Sequence, residues 1–143
     1  MIQFWRTVDE YGFLSNFSHH PVEINGKRWP TTEHYYQAMK SLDEDVQEKI
    51  RKQKSPKKSK TLACSIELRE DWEEVKFDFM LEALRAKAEQ YDFIRETLIE
   101  TENEPLAENS PYDYIWGTGA DGSGQNLLGK AWMQVREELI ENA

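Results

Sequence analysis

Apolar positions alternate with polar ones in short stretches near the N-terminus and recur at helical spacing along most of the remaining chain. Ile2-Gln3-Phe4-Trp5 and Phe13-Leu14-Ser15-Asn16-Phe17 read as short strands. Val22-Glu23-Ile24 alternates and is followed by Asn25-Gly26 and Lys27-Arg28-Trp29. Asn-Gly accepts the positive φ angles of a type I′ turn, so this segment predicts a β-hairpin. After Pro30, Thr31 or Thr32 caps a helix with Tyr35, Ala38, Met39 and Leu42 on one face and Glu33, Gln37 and Lys40 on another. Asp43-Glu44-Asp45 opens a second helix that Lys49, Arg51 and Lys52 close, a charge order that complements the helix dipole. Ser55-Pro56 starts a short third helix reaching Leu62 and Cys64. Asp71-Trp72-Glu73-Glu74 has the form of a capping box before a long helix, apolar on most sides, that runs to about Gln90.

Asp92 caps a further helix carrying Ile94, Leu98 and Ile99, and Glu102 to Ser110 reads as loop with room for one short strand. A glycine- and aromatic-rich segment, 111–126, precedes a last amphipathic helix with Leu128, Trp132, Val135 and Leu139 on one stripe. The pattern contains no repeat and no linker. It predicts a single α+β domain over 1–143, mostly helical, with a small N-terminal β-sheet or hairpin.

Composition sharpens this picture. At 143 residues with 38% hydrophobic content, including five Trp, six Tyr and six Phe, the core is built from aromatic side chains, which argues against disorder. Cys64 is the one cysteine, so a disulfide framework and a Cys-rich zinc site are excluded, and it reads as a small buried hydrophobe. No leader or membrane-length apolar run is visible, and the expected location is the cytoplasm, with no membrane partner. The net charge of −9 excludes a protein that coats nucleic acid through its overall field. Seven of the eighteen basic residues nevertheless fall between Lys49 and Lys60, with no acid among them, so one face could meet phosphates.

Three groups carry candidate chemistry. Glu33, Gln37 and Lys40 lie side by side at spacings of four and seven, either as a solvated helix face or as a site in which His34, Tyr35 and Tyr36 desolvate the carboxyl. Lys76 falls on an apolar stripe with Trp72, Phe79, Met80 and Ala83; it either snorkels to water or is enclosed and reactive or phosphate-binding. In Tyr112 to Asn126, Gly117, Gly119 and Gly122 match G-x-G-x-x-G without the surrounding βαβ unit that a dinucleotide fold needs. That segment reads as a tight turn or as a loop whose N–H groups, with the helix start near Asn126, approach an anion. His19, His20 and His34 have no metal spacing and Asp121-Gly122 lacks the other acids of a calcium loop, so no metal and no cofactor are expected.

Taken together, the segments resemble the YbiA-like family, also called NADAR. The resemblance is carried by Phe13 to Phe17, by Trp29-Pro30-Thr31-Thr32-Glu33-His34-Tyr35-Tyr36-Gln37-Ala38-Met39-Lys40 and by Arg69 to Lys76. It continues through Met80 to Lys87 and Asp113 to Gly129 and ends at Arg136, with Ala88 departing from an expected Phe. It implies cleavage of an N-glycosidic bond, either in phosphorylated riboflavin-pathway intermediates, releasing ribose 5-phosphate, or between ADP-ribose and guanine in nucleic acid. The implicated positions are Glu33, Lys40, Trp72 and Asp113, with the glycine-rich loop nearby.

In this reading Glu33 and Asp113 share acid, base and C1-stabilising roles, and Lys40, or Lys76, offers a Schiff-base alternative. Trp72 or Tyr36 stacks on the base. Asn16, Lys76, Trp116, Gly117, Gly119, Gly122, Gly124 and Asn126 complete the expected binding surface. The expected partner is a small phosphorylated ribosyl compound or ADP-ribosylated nucleic acid. A non-catalytic ADP-ribose-binding module is the alternative from another class; it gains little from two acids beside an anionic ligand. An acidic structural adaptor, a third reading, leaves the glycine-aromatic loop unexplained.

Overall fold

Asn25 and Gly26 adopt φ angles of 54° and 79°, and the hairpin they close pairs β2 (Val22–Ile24) with β3 (Lys27–Trp29) in the expected place. The computed structural model describes residues 1–142. A second two-stranded sheet forms from segments a hundred residues apart: β1 (Ile2–Phe4) runs parallel to β4 (Leu106–Glu108), Ile2 opposite Leu106 and Phe4 opposite Glu108. Six helices make up most of the rest: α1 (Thr32–Ala38), α2 (Glu44–Arg51), α3 (Pro56–Ala63), α4 (Trp72–Gln90), α5 (Asp92–Glu100) and α6 (Leu127–Glu141). The fold class is therefore α+β and mostly helical. No helix among the described residues is long and apolar enough to cross a membrane.

Two apolar clusters share the interior. One gathers Phe4, Leu14, Tyr36, Trp72, Met80, Leu84, Leu98, Leu106, Leu128 and Trp132; the other gathers Val22, Trp29, Tyr35, Ala38, Ile50, Ala63 and Ala83. Helices α1 and α4 contribute to both, Tyr35 and Tyr36 pointing to opposite clusters as adjacent helical residues must. Every residue of α1 is consequently buried. Thr31 caps this helix, its hydroxyl accepting the His34 N–H, while His34 bridges Thr31 Oγ1 (2.8 Å) and the Gln53 carbonyl (2.9 Å).

Several local expectations change on folding. Residues 13–17 are not a strand: the chain makes a single 3₁₀ turn at Gly12–Leu14 and then further turns. Its carbonyls are satisfied by distant side chains, Leu14 O by Trp132 Nε1 (2.9 Å) and Ser15 O by Lys87 Nζ (2.9 Å), so a neighbouring strand is not required. The capping box at Asp71 does not form, because its carboxylate pairs with Arg69 (2.6 Å). Asp92 is the first residue of α5 and Tyr91 precedes it as the cap position. Leu42 lies beyond α1 and is 71% exposed, and Cys64, expected inside, is exposed at the end of α3.

Candidate active site

The Glu33 and Gln37 face of α1, continued by Lys40 in the turn beyond the end of the helix, is turned inward, toward the N-terminal turns, α4 and the loop before α6. The Glu33 N–H donates to the Asn16 carbonyl (3.2 Å), and the Thr32 hydroxyl donates to Asn16 Oδ1 (2.8 Å). Asn16 Nδ2 then lies 3.4 Å from Met80 Sδ on α4. The turn carrying Asn16 is also held from behind by Lys87, which donates to Ser15 O and to Ser18 Oγ (2.6 Å). These bonds stitch three chain segments around a cavity of about 310 Å³.

Of the expected site residues, Glu33, Lys40, Asp113, Tyr36, Trp72, Asn16, Lys76 and Trp116 all line this cavity. Glu33 is 7% exposed and its Oε2 accepts a bond from Gln37 Nε2 (2.7 Å). Burial pushes its carboxyl above the usual range, opposed by the Gln37 bond and by the charges of Lys60 and Lys40. The Lys40 ammonium lies 5.5 Å from the Tyr36 ring centroid, and burial lowers its pKa despite the attraction of Glu33. Tyr36 packs against Trp72 at 5.2 Å and edge-on to Trp116 at 5.3 Å, and Phe77 stacks behind Trp116, giving the cavity an aromatic wall. Asp113 is fixed through Oδ1, which accepts the N–H groups of Ile115 (2.9 Å) and Trp116 (2.8 Å). Lys76 is neither in open water nor free: its ammonium pairs with Glu73 Oε1 at 2.9 Å on the cavity rim.

Much of the N–H capacity of the glycine-rich segment is bonded within the segment itself. Thr118 N–H donates to Glu108 O, Gly124 N–H to Thr118 O, Gln125 N–H to Tyr114 O and Asn126 N–H to Gly117 O. Leu127 and Leu128, the first residues of α6, donate back to Ile115 and Trp116. Most donors of the loop and the first two of α6 are thus bonded internally, and Gly117, Gly119, Gly122, Gly124 and Asn126 lie outside the cavity wall. Asn126, at φ 54°, clamps β4 instead, through Leu106 O and Glu108 N–H (both 3.0 Å). Gly117 has a steric role: a Cβ there would stand 2.9 Å from Asp113 O and 3.2 Å from Glu108 Oε2.

Glu108 and Lys60 also line the cavity without having been among the expected site residues, Lys60 having figured only in the basic run that could meet phosphates. Glu108 ends β4, in a stretch whose polarity looked uninformative; its signal was the apolar pair Leu106-Ala107 that buries the strand. Lys60 is the last of the basic run and reaches the cavity from α3, one helix away from Glu33. No cluster of three or more His, Cys, Asp or Glu suited to a metal occurs among the described residues.

The NADAR domain model matches residues 3–140. The chain belongs to the NADAR family. Over 97% of its length it is 44% identical to N-glycosidase YbiA of Escherichia coli, covering 88% of that protein. The NMR structure of E. coli YbiA superposes with a TM-score of 0.92 at 43% identity, over 99% of this chain and 85% of that one. A more distant relative is the chloroplastic riboflavin biosynthesis protein PYRR of Zea mays, 36% identical over 98% of this chain, which spans 25% of that larger protein. Of the blocks that carry the resemblance, Phe13 to Phe17, the Glu33 helix, the start of α4 and the Asp113 loop each contribute residues to the cavity wall.

Proposed function

We propose that this NADAR chain hydrolyses the N-glycosidic bond of a ribosyl phosphate compound, such as an early riboflavin-pathway intermediate, releasing ribose 5-phosphate. The enzyme class is that of its relatives named N-glycosidases, hydrolases acting on N-glycosyl compounds. The observation that carries the reading is one aromatic-walled cavity in which Glu33, Glu108 and Asp113 meet Lys40 and Lys60. Cleavage at C1 passes through an oxocarbenium-like state, which a buried carboxylate stabilises far better than one in water. Glu33 takes that part, either facing C1 or accepting the proton of the attacking water. Lys40 and Lys60 supply positive charge for a phosphate, and Tyr36, Trp72 and Trp116 form the apolar surface for the sugar and base.

The lowered pKa of Lys40 supports a second route, in which its neutral amine captures ring-opened C1 as a Schiff base. Borohydride added during turnover then traps a covalent adduct that Lys40→Ala abolishes and Lys76→Ala retains; no adduct on an active enzyme leaves direct hydrolysis. The substrate is tested by product analysis with phosphorylated riboflavin-pathway intermediates and ADP-ribosylated guanine DNA side by side. Release of ribose 5-phosphate supports the proposal. Turnover of the DNA alone would replace it with the nucleic-acid branch, and binding of either without turnover would make the chain a recognition module.

A further inference from the structure

Resting on the N-glycosidase reading, we infer that Glu108 is the proton donor to the departing base, a catalytic residue distinct from Glu33 and Asp113. An amine leaving group departs slowly as an anion, so the site needs a group that carries a proton at neutral pH and reaches the scissile nitrogen. Glu108 lines the cavity from the end of β4, and among the described residues its carboxyl receives no hydrogen bond. The other two acids are differently placed. Glu33 accepts from Gln37, and Asp113 Oδ1 accepts two backbone N–H groups, contacts that suit acceptors. Three carboxyls so close cannot all be ionised without cost, and the one without donors is the one to keep its proton.

The charged groups acting on Glu108 are Asp113 in the loop before α6, Glu33 on α1 and Lys60 on α3. Burial first, then the two acids, raise its pKa to about 7, with Lys60 opposing. With Oε2 buried and without a hydrogen-bond partner, the carboxyl is placed by packing and by its own backbone. The backbone fixes its position: Asn126 Oδ1 accepts the Glu108 N–H, the Thr118 N–H donates to Glu108 O, and Gly117 lets the loop close on the side chain.

In the step, the C1–N bond breaks and its electron pair stays on nitrogen, which takes the proton from the Glu108 carboxyl. Water adds its oxygen to C1 and loses a proton to Glu33. Exchange with solvent then protonates Glu108 and deprotonates Glu33 for the next cycle. No oxidant or co-reactant is needed.

The experiment compares wild type and Glu108→Gln on two substrates of the same sugar phosphate: an N-ribosyl pyrimidine amine and a p-nitrophenyl riboside, whose leaving group departs without protonation. We expect Glu108→Gln to lose about 10²–10⁴-fold in kcat on the N-glycoside and to stay within about threefold of wild type on the nitrophenyl substrate. The fall of wild-type kcat/KM above a pH near 7 should vanish in the variant. Equal losses on both substrates, or an unchanged alkaline limb, would overturn the role while leaving the glycosidase reading intact. Wild-type inactivity on every N-ribosyl compound would overturn both. Should Glu108→Gln not fold, carboxyl carbon-13 titration of the wild-type protein decides: an inflection near 7 for Glu108 supports the assignment, and one in the ordinary glutamate range removes it.

Discussion

Glu33 enters the first turn of α1 beside a ring of aromatics, and folding removes it almost wholly from water. The desolvation that raises its pKa is a cost carried by the folded state at neutral pH and relieved when the group is protonated or replaced. Glu33→Gln should thus lower kcat by about 10²–10⁴-fold while the melting temperature at pH 7 does not fall, a combination read from kinetics and calorimetry on one preparation. Near-normal turnover in a folded variant would take Glu33 out of the mechanism. In the proposed mechanism Glu33 works as the carboxylate, so wild-type activity should decline as pH falls through its raised pKa, above the usual glutamate value. Gly117 is the second residue-scale case. Gly117→Ala places a methyl against the Asp113 carbonyl and the Glu108 carboxyl, so it should cost about 1–3 kcal/mol in denaturant unfolding and lower kcat more than it raises KM. Both residues were visible in the sequence as types, an acid among aromatics and a glycine in a rich loop. Burial and close approach were not, since each is set by chain segments far away.

At the scale of elements, the legible parts were those whose hydrogen bonds are local. The Asn25-Gly26 hairpin, the Thr31 cap and the Ser55-Pro56 start of α3 lie where the sequence pattern puts them, because turn and cap residues bond within a few positions. The 13–17 segment and the Asp71 cap were misread because Trp132, Lys87 and Arg69 supplied partners that no local rule anticipates. The charge run leading into α3 shows the same division: Lys54, Lys57 and Lys58 lie away from the cavity, and Lys60, exposed like them, lies on its rim. Lys60→Ala should therefore raise KM for a phosphorylated ribosyl substrate by about tenfold, as loss of a charged hydrogen bond worth about 1.5 kcal/mol implies. A Lys54→Gln, Lys57→Gln, Lys58→Gln triple variant should match wild type on the same substrate. It should also show an unchanged salt slope on DNA; a flattened slope would instead make the run a phosphate-binding surface.

Across the whole molecule, one buried cation ties the far side of the fold to the site. Lys87 on α4 is 1% exposed, has no acid partner among the described residues, and holds the turn that carries Asn16; burial alone lowers its pKa to about 7. Between that value and the ordinary 10.5 the unfolded chain binds the proton that the folded one has released, so this group's contribution makes stability rise with pH across that window. Below pH 7 its penalty is fully present. In Lys87→Met the difference from wild type in unfolding free energy should shift in wild type's favour from pH 7 to about 10. A pH-independent difference would show that the amine titrates normally. The amino-acid pattern by itself determined the mostly helical α+β class, the hairpin and the helix faces, because propensity, capping and periodicity act over a few residues, while N-glycoside chemistry was legible only through the resemblance to the family. Only the tertiary structure decided that β1 pairs with β4, that α1 is buried on every side, that most of the loop donors bond internally, and that Glu108 and Lys60 join Glu33 and Asp113. Those outcomes depend on which distant surfaces pack together, and packing sets the burial and charge proximity on which the chemistry depends.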